Sequence, residues 1–161
     1  MIVNFKNIKD FVIPMIDFQL NWRFIDKNYN VLPDYHLKGL KPLGKQAAKF
    51  LFDYIKTNDL HGDMPFKKSF FKRIDIIEIK ENNENEVKNW LFNCGLNSKE
   101  EIFLSWDNGT AMIVSFGLLI EYFDDFYYSS SDNLTVFQEN LDWALLFFHA
   151  DQIYFGSNKE Q

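Results

Sequence analysis

The spacing of apolar and polar positions divides the chain into short elements of both kinds. Phe18, Leu20, Trp22 and Phe24 alternate with Gln19, Asn21 and Arg23, the period of a short strand. Residues 26–30 are turn-like, and Pro33 and Gly39 mark an irregular stretch. Over residues 42–56, Leu43, Ala47, Phe50, Leu51, Tyr54 and Ile55 recur at helical spacing, with Lys45, Gln46, Lys49 and Asp53 on the other side. Thr57-Asn58-Asp59 and His61-Gly62-Asp63 end that helix. Residues 73–80 interleave Ile74, Ile76, Ile77 and Ile79 with Asp75 and Glu78, which predicts a strand. A polar break at 81–85 leads into a short helix over 84–93, with Val87, Trp90 and Leu91 on one face and Gly95 just past its end.

The last third is the most regular. Residues 102–106 read as a strand, Asp107-Asn108-Gly109 as a hairpin turn, and 110–113 as the returning strand. Phe116, Leu119, Ile120, Phe123, Phe126 and Tyr127 then fall on one face of a helix, with Glu121, Asp124 and Asp125 opposite. After a loop at 129–133, residues 134–137 form a short strand, and 143–149 and 152–155 a hairpin across Ala150-Asp151. These elements predict an α+β fold, a mainly antiparallel sheet with helices packed on it. No repeat or Pro/Gly/Ser-rich linker divides the chain, so residues 1–161 are expected to form a single domain.

Composition narrows the function classes. With 47% hydrophobic residues among 161, a real core is possible and global disorder is excluded. The net charge of −6 argues against a general nucleic-acid binder, which needs a basic footprint. Cys94 is the single cysteine, so there is no internal disulfide and no cysteine-based zinc site. The longest uncharged apolar run, 111–120, is too short to span a bilayer, and the first residues lack the pattern of a secretory leader. No membrane partner and a cytoplasmic location are expected.

The charge is unevenly placed. Residues 1–80 hold 14 Lys and Arg against 9 Asp and Glu, whereas residues 81–161 hold 3 against 14. Between Lys99 and Lys159 there are ten acids and no base. At the average density of the chain that stretch would carry about six bases. Two readings stand: a solvated acidic face, or a surface built for a basic protein partner.

Few residues carry recognisable chemistry. His36, His61 and His149 form no ligand-spaced pair, and no metal is expected. His149 ends an apolar strand as a half-buried structural histidine, and His61 sits in a loop as turn chemistry. Cys94 lies at a helix C-terminus, where the dipole disfavours a thiolate, and reads as packing. There is no nucleophile elbow and no glycine-rich phosphate loop. The four tryptophans sit in apolar segments and are expected in the core. Asp124 and Asp125 diverge by about 100° on a helix, so they do not converge as a catalytic dyad. Placed near a helix C-terminus they would each be disfavoured by roughly 0.3–1 kcal/mol, which suggests a use for them. Beside them, Tyr127, Tyr128 and Asp132 complete the composition of an interface anchor with a charged rim. Alternatively Tyr127 packs into the core and only Tyr128 is exposed.

Several segments together resemble small bacterial immunity proteins of polymorphic-toxin and contact-dependent growth inhibition systems. They are Phe103-Leu104-Ser105-Trp106-Asp107, Phe123-Asp124-Asp125-Phe126-Tyr127-Tyr128, Ser131-Asp132-Asn133, and Trp143 through Phe147-Phe148-His149 to Tyr154-Phe155-Gly156. Trp22-Arg23-Phe24 followed by Leu40-Lys41-Pro42-Leu43 also resembles a bacterial family of similar length. The resemblance implies a stoichiometric inhibitor with no catalytic residues and no cofactor, which binds a cognate toxin domain. A basic nuclease-type toxin suits the acidic C-terminal half. The basic N-terminal half departs from a uniformly acidic inhibitor and leaves open another kind of toxin or another contact face. The expected contact residues are Glu121, Asp124, Asp125, Tyr128 and Asp132. Two alternatives stand beside this one: a small enzyme using His61 or the acidic cluster, and a scaffold or oligomeric accessory protein.

Overall fold

Seven strands pair antiparallel into one sheet in the order β2-β5-β4-β6-β7-β8-β3. The strands are β2 (Lys41–Leu43), β3 (Arg73–Glu78), β4 (Glu101–Asp107), β5 (Thr110–Ser115), β6 (Leu134–Phe137), β7 (Trp143–Phe148) and β8 (Gln152–Ser157). A two-residue strand, β1 (Asn30–Val31), lies outside it. The helices are α1 (Trp22–Ile25), α2 (Asp34–Leu37), α3 (Lys45–Thr57), α4 (Glu84–Phe92), α5 (Phe116–Glu121) and α6 (Phe123–Phe126). This computed structural model describes residues 1–159, so residues 160 and 161 of the expected domain lie outside the described residues. The α+β fold with a mainly antiparallel sheet is as the sequence predicts.

Both faces of the sheet are covered, which explains why its strands read as nearly continuous apolar runs. Leu104, Met112, Val136, Leu145 and Phe147 face one core together with Phe24, Leu91, Phe116, Phe123 and Phe126. Ala111, Ile113, Phe137, Ala144 and Leu146 face the other, covered by Ala47, Ala48, Leu51 and Ile55 of α3 and by Phe66 and Phe71 of the following loop. The hairpin turn forms as predicted: Gly109 N–H donates to Asp107 Oδ1 at 2.8 Å. Beside it, a register shift between Ser105 and Asp107 bends β4.

Three expectations change. Residues 18–24 are not a strand: the Phe24 and Ile25 N–H groups both donate to the Asn21 carbonyl, at 2.9 and 3.1 Å, closing a helical turn in which Arg23 and Phe24 are both buried. They belong to α1, packed on α6 with the Phe24 and Phe126 rings 5.1 Å apart. The helix predicted from residue 42 begins only at Lys45, because Pro42 and Leu43 pair with β5. The helix predicted over 116–127 breaks at Tyr122, whose φ of −120° leaves the helical region. Ser115 caps α5 by accepting from Leu118 N–H, and a separate turn, α6, follows the break. Asp124 and Asp125 therefore occupy the first turn of α6, where the peptide dipoles favour a negative charge. Neither acid strains a helix C-terminus, contrary to the expectation from the sequence.

Candidate functional site

The break at Tyr122 turns the acids towards the N-terminal segment. Glu121 and Asp124 are exposed, and Asp125 is half-buried, accepting from Asn30 Nδ2 at 2.8 Å. Burial pushes the Asp125 carboxyl above its ordinary range, and Asp124 adds to this, while Asn30 and Lys88 oppose it. Lys88 thus stands at the edge of the patch, which is acidic but not purely so.

Aromatic side chains flank these acids. Tyr128 is half-buried and meets Trp22 edge-on, with ring centroids 5.3 Å apart. Trp22 in turn packs on Tyr29 at 4.7 Å. Tyr29 is 61% exposed and Tyr35 73%, with Val31 also open. Tyr35 lies against His36, whose Nδ1 is hydrogen-bonded to the Tyr122 hydroxyl. The Tyr122 hydroxyl is pushed above its usual range by burial first and then by Glu121, Tyr35 and Asp125. The same holds for Tyr128, where burial leads and Asp125, Tyr29 and Asp124 add to it against Arg23.

Of the expected contact residues, Glu121, Asp124, Asp125 and Tyr128 share this face. Asp132 is turned inward: it is 8% exposed and holds Arg23 through both oxygens, at 2.6 and 3.2 Å. It also accepts the Tyr128 backbone N–H at 2.8 Å. The Arg23 guanidinium lies 4.1 Å from the Tyr128 ring and 5.2 Å from that of Trp22. Asp132 therefore positions the patch from below and does not offer its own charge. Tyr127 is buried, and its hydroxyl donates to the Phe148 carbonyl. Tyr29, Val31 and Tyr35 were missed, because the sequence reads their stretch only as turn and irregular chain. Open aromatics in a polar loop are the signal that was available.

His61 lies on the other face of the sheet, apart from the acids. It borders a cavity of about 360 Å³ between the end of α3, the loop after it and the ends of β4, β6 and β7. Its Nδ1 is 2.7 Å from the Pro65 carbonyl oxygen and its Nε2 is 2.8 Å from Thr135 Oγ1. A carbonyl only accepts, so Nδ1 carries the proton, and in the neutral ring Nε2 accepts from the Thr135 hydroxyl. Burial pushes the imidazole below its ordinary 6.5, with the Pro65 hydrogen bond opposing. His61 is more than turn chemistry: it pins a loop to the sheet. Its NMR pH titration is expected to show a midpoint below 6.5. The unfolded chain then takes up this proton first, so stability is retained above pH 6.5 and falls as the pH drops below it. A His61 midpoint at or above 6.5 would contradict the geometry.

His149 is exposed at the β7–β8 turn and not half-buried, its Nδ1 3.0 Å from Asn133 Oδ1. Burial, with help from Asp75, pushes the Cys94 thiol up to about 12, against thiolate chemistry at neutral pH. Trp143 is buried, while Trp22, Trp90 and Trp106 are half-buried. Among the described residues, no group of three or more His, Cys, Asp or Glu is placed to hold a metal ion. No helix among them is long and apolar enough to cross a membrane. Comparison with protein-family models, curated proteins and solved structures finds no significant match.

Proposed function

We propose that this protein is an immunity protein that binds and neutralises a basic toxin domain through the face formed by α1, β1, α2, α5 and α6. The observation that supports this reading is the gathering of open Tyr29 and Tyr35, with Trp22 and Tyr128 behind them, beside Glu121, Asp124 and Asp125. Tyrosine and tryptophan supply large, stiff contact area at low entropic cost, the composition of interface hot spots. The acids beside them would steer a basic partner and fix its orientation. The charge pattern supports it as well, since no Lys or Arg occurs between Lys99 and Lys159.

The test is neutralisation. Co-expression with a basic toxin domain encoded immediately upstream should restore growth, and the two proteins should co-purify in equal amounts. Persistent growth arrest, with both proteins made, would overturn the reading. In that complex, joint Asp124→Lys and Asp125→Lys substitution should slow association about 10- to 100-fold at low salt and flatten its salt dependence. Tyr35→Ala should instead speed dissociation, by about 30-fold for a hot spot worth roughly 2 kcal/mol. Stopped-flow binding at two salt concentrations separates these effects, and an unchanged association rate in the Lys variant would move the interface elsewhere.

A further inference from the structure

The cavity bordered by His61 is a binding site in its own right, and we propose that it takes a small, neutral aromatic molecule carrying an amide or carbonyl group. Its floor is a row of three cross-strand partners, Ser105 on β4, Thr135 on β6 and Leu146 on β7. Two of the three are small and polar, and this leaves room above them. A volume of about 360 Å³ lies within the range of small-molecule sites. The walls are apolar, with Phe52 and Ile55 from α3 and Phe148 from the sheet, while Trp106 borders the cavity with its indole N–H turned to the Phe126 carbonyl at 2.9 Å. Met64, 55% exposed, stands at the rim.

The class of ligand follows from what lines the cavity. Among the described residues, no Lys, Arg, Asp or Glu lines it. A charged molecule would leave water and meet no counter-charge, which is costly. The aromatic walls select a flat ring. Both ring nitrogens of His61 are occupied by Pro65 and Thr135, so His61 holds the floor and does not compete for the ligand. Asn133 Oδ1 is occupied by His149, which leaves the Asn133 amide N–H₂ as a donor at one end. The buried Ser105 hydroxyl supplies a second donor on the floor. One donor at the end and one on the floor of an uncharged, partly aromatic slot suit a neutral ring that carries a carbonyl oxygen. The site lies across the sheet from the tyrosine and acid face and does not depend on the immunity reading.

The experiment is an NMR titration of the ¹⁵N-labelled protein with three probes that share one ring and differ in charge: benzamide, benzoate and benzylammonium. Benzamide is expected to shift the Ser105 and Thr135 backbone amides and the Asn133 side-chain amide, saturating in the millimolar range or below. Benzoate and benzylammonium should bind at least about tenfold more weakly, because each would bury an unpaired charge. Ser105→Ala should weaken benzamide by about 2- to 10-fold, the range for one neutral hydrogen bond. The charge series uses the unaltered chain, so it stands even if that variant folds poorly. Absence of benzamide shifts at these residues, shifts confined to Tyr29 and Tyr35, or equal binding of the three probes would each overturn the proposal.

Discussion

Arg23→Met is expected to destabilise the fold by about 3–5 kcal/mol, the usual result of stranding one partner of a buried ion pair. Arg23 is 4% exposed and Asp132 8%, so neither charge has water to fall back on. Removing the guanidinium leaves Asp132 with only the Tyr128 backbone N–H and the Ser131 hydroxyl as donors. It also removes a donor to the Phe126 carbonyl, at 3.3 Å, and the cation under the Tyr128 ring. For a chain of this length the thermal midpoint should fall by roughly 6–20 °C. The pair is not free of cost in the native state, since Arg23 Nε is buried without a hydrogen-bond partner. For that reason the double variant Arg23→Met/Asp132→Leu should lose less than the sum of the two single changes. Urea unfolding of the four proteins measures the coupling, and simple additivity would show that the two side chains act independently. The damage should reach the surface as well, because Tyr128 and Trp22 are held against this guanidinium.

What the sequence could reveal followed the range of the interactions. The hairpins β4–β5 and β7–β8 were readable because their turn residues and apolar runs are neighbours in the chain. The short strand β6 and helices α3 and α4 were readable for the same reason. Residues 18–24 were not, because their conformation is set by Phe126 and Asp132, about a hundred positions away. A seven-residue alternation of apolar and polar side chains fits a strand and an irregular buried segment equally well. The break at Tyr122 was equally hidden: apolar spacing runs through it undisturbed, and only the contact with His36 marks it. That single break reversed the electrostatic argument about Asp124 and Asp125.

The absence of bases between Lys99 and Lys159 was visible, but its spatial meaning was not. Arg23 from the N-terminal half neutralises Asp132, and Lys9 and Lys41 both pair with Glu101, holding its carboxyl below the ordinary range. Of the other acids, Glu121, Asp124 and Asp125 lie by Tyr122 and Tyr128 beside aromatics from a stretch that carries no regular pattern, while Glu100, Asp107, Glu139 and Asp142 are exposed elsewhere. The candidate face is therefore assembled from two distant segments, each legible only in part. The cavity at His61 is a still more extreme case. It exists because small residues occupy one register row, and cross-strand register is not written in any single strand.

Gly156→Ala is the second large effect, and it tests how the loop carrying His61 is held down. Gly156 pairs with Ala144 on β7 and Ile74 on β3, on the face covered by α3. A Cβ built there would lie 2.2 Å from Cδ2 of Phe71 and 2.8 Å from Cε2, far inside contact distance. The obstacle is a buried ring, 6% exposed, packed against Phe66 at 5.0 Å and Phe70 at 4.8 Å. It cannot swing away without uncovering the core. The expected cost is about 1–3 kcal/mol, the range for forcing one extra carbon into a filled core. Phe71→Ala alone should cost about 3–5 kcal/mol through the cavity it leaves. The two changes touch the same space, so Gly156→Ala on the Phe71→Ala background should cost far less, or stabilise by filling part of that cavity. In the single variant the strain falls first on the loop over residues 60–71, which Phe66 and the His61 bond to Thr135 also tie to the sheet. Hydrogen exchange should rise there, while β4 and β5 keep their protection. Uniform loss of protection across the sheet would mean instead that the ring anchors the whole fold.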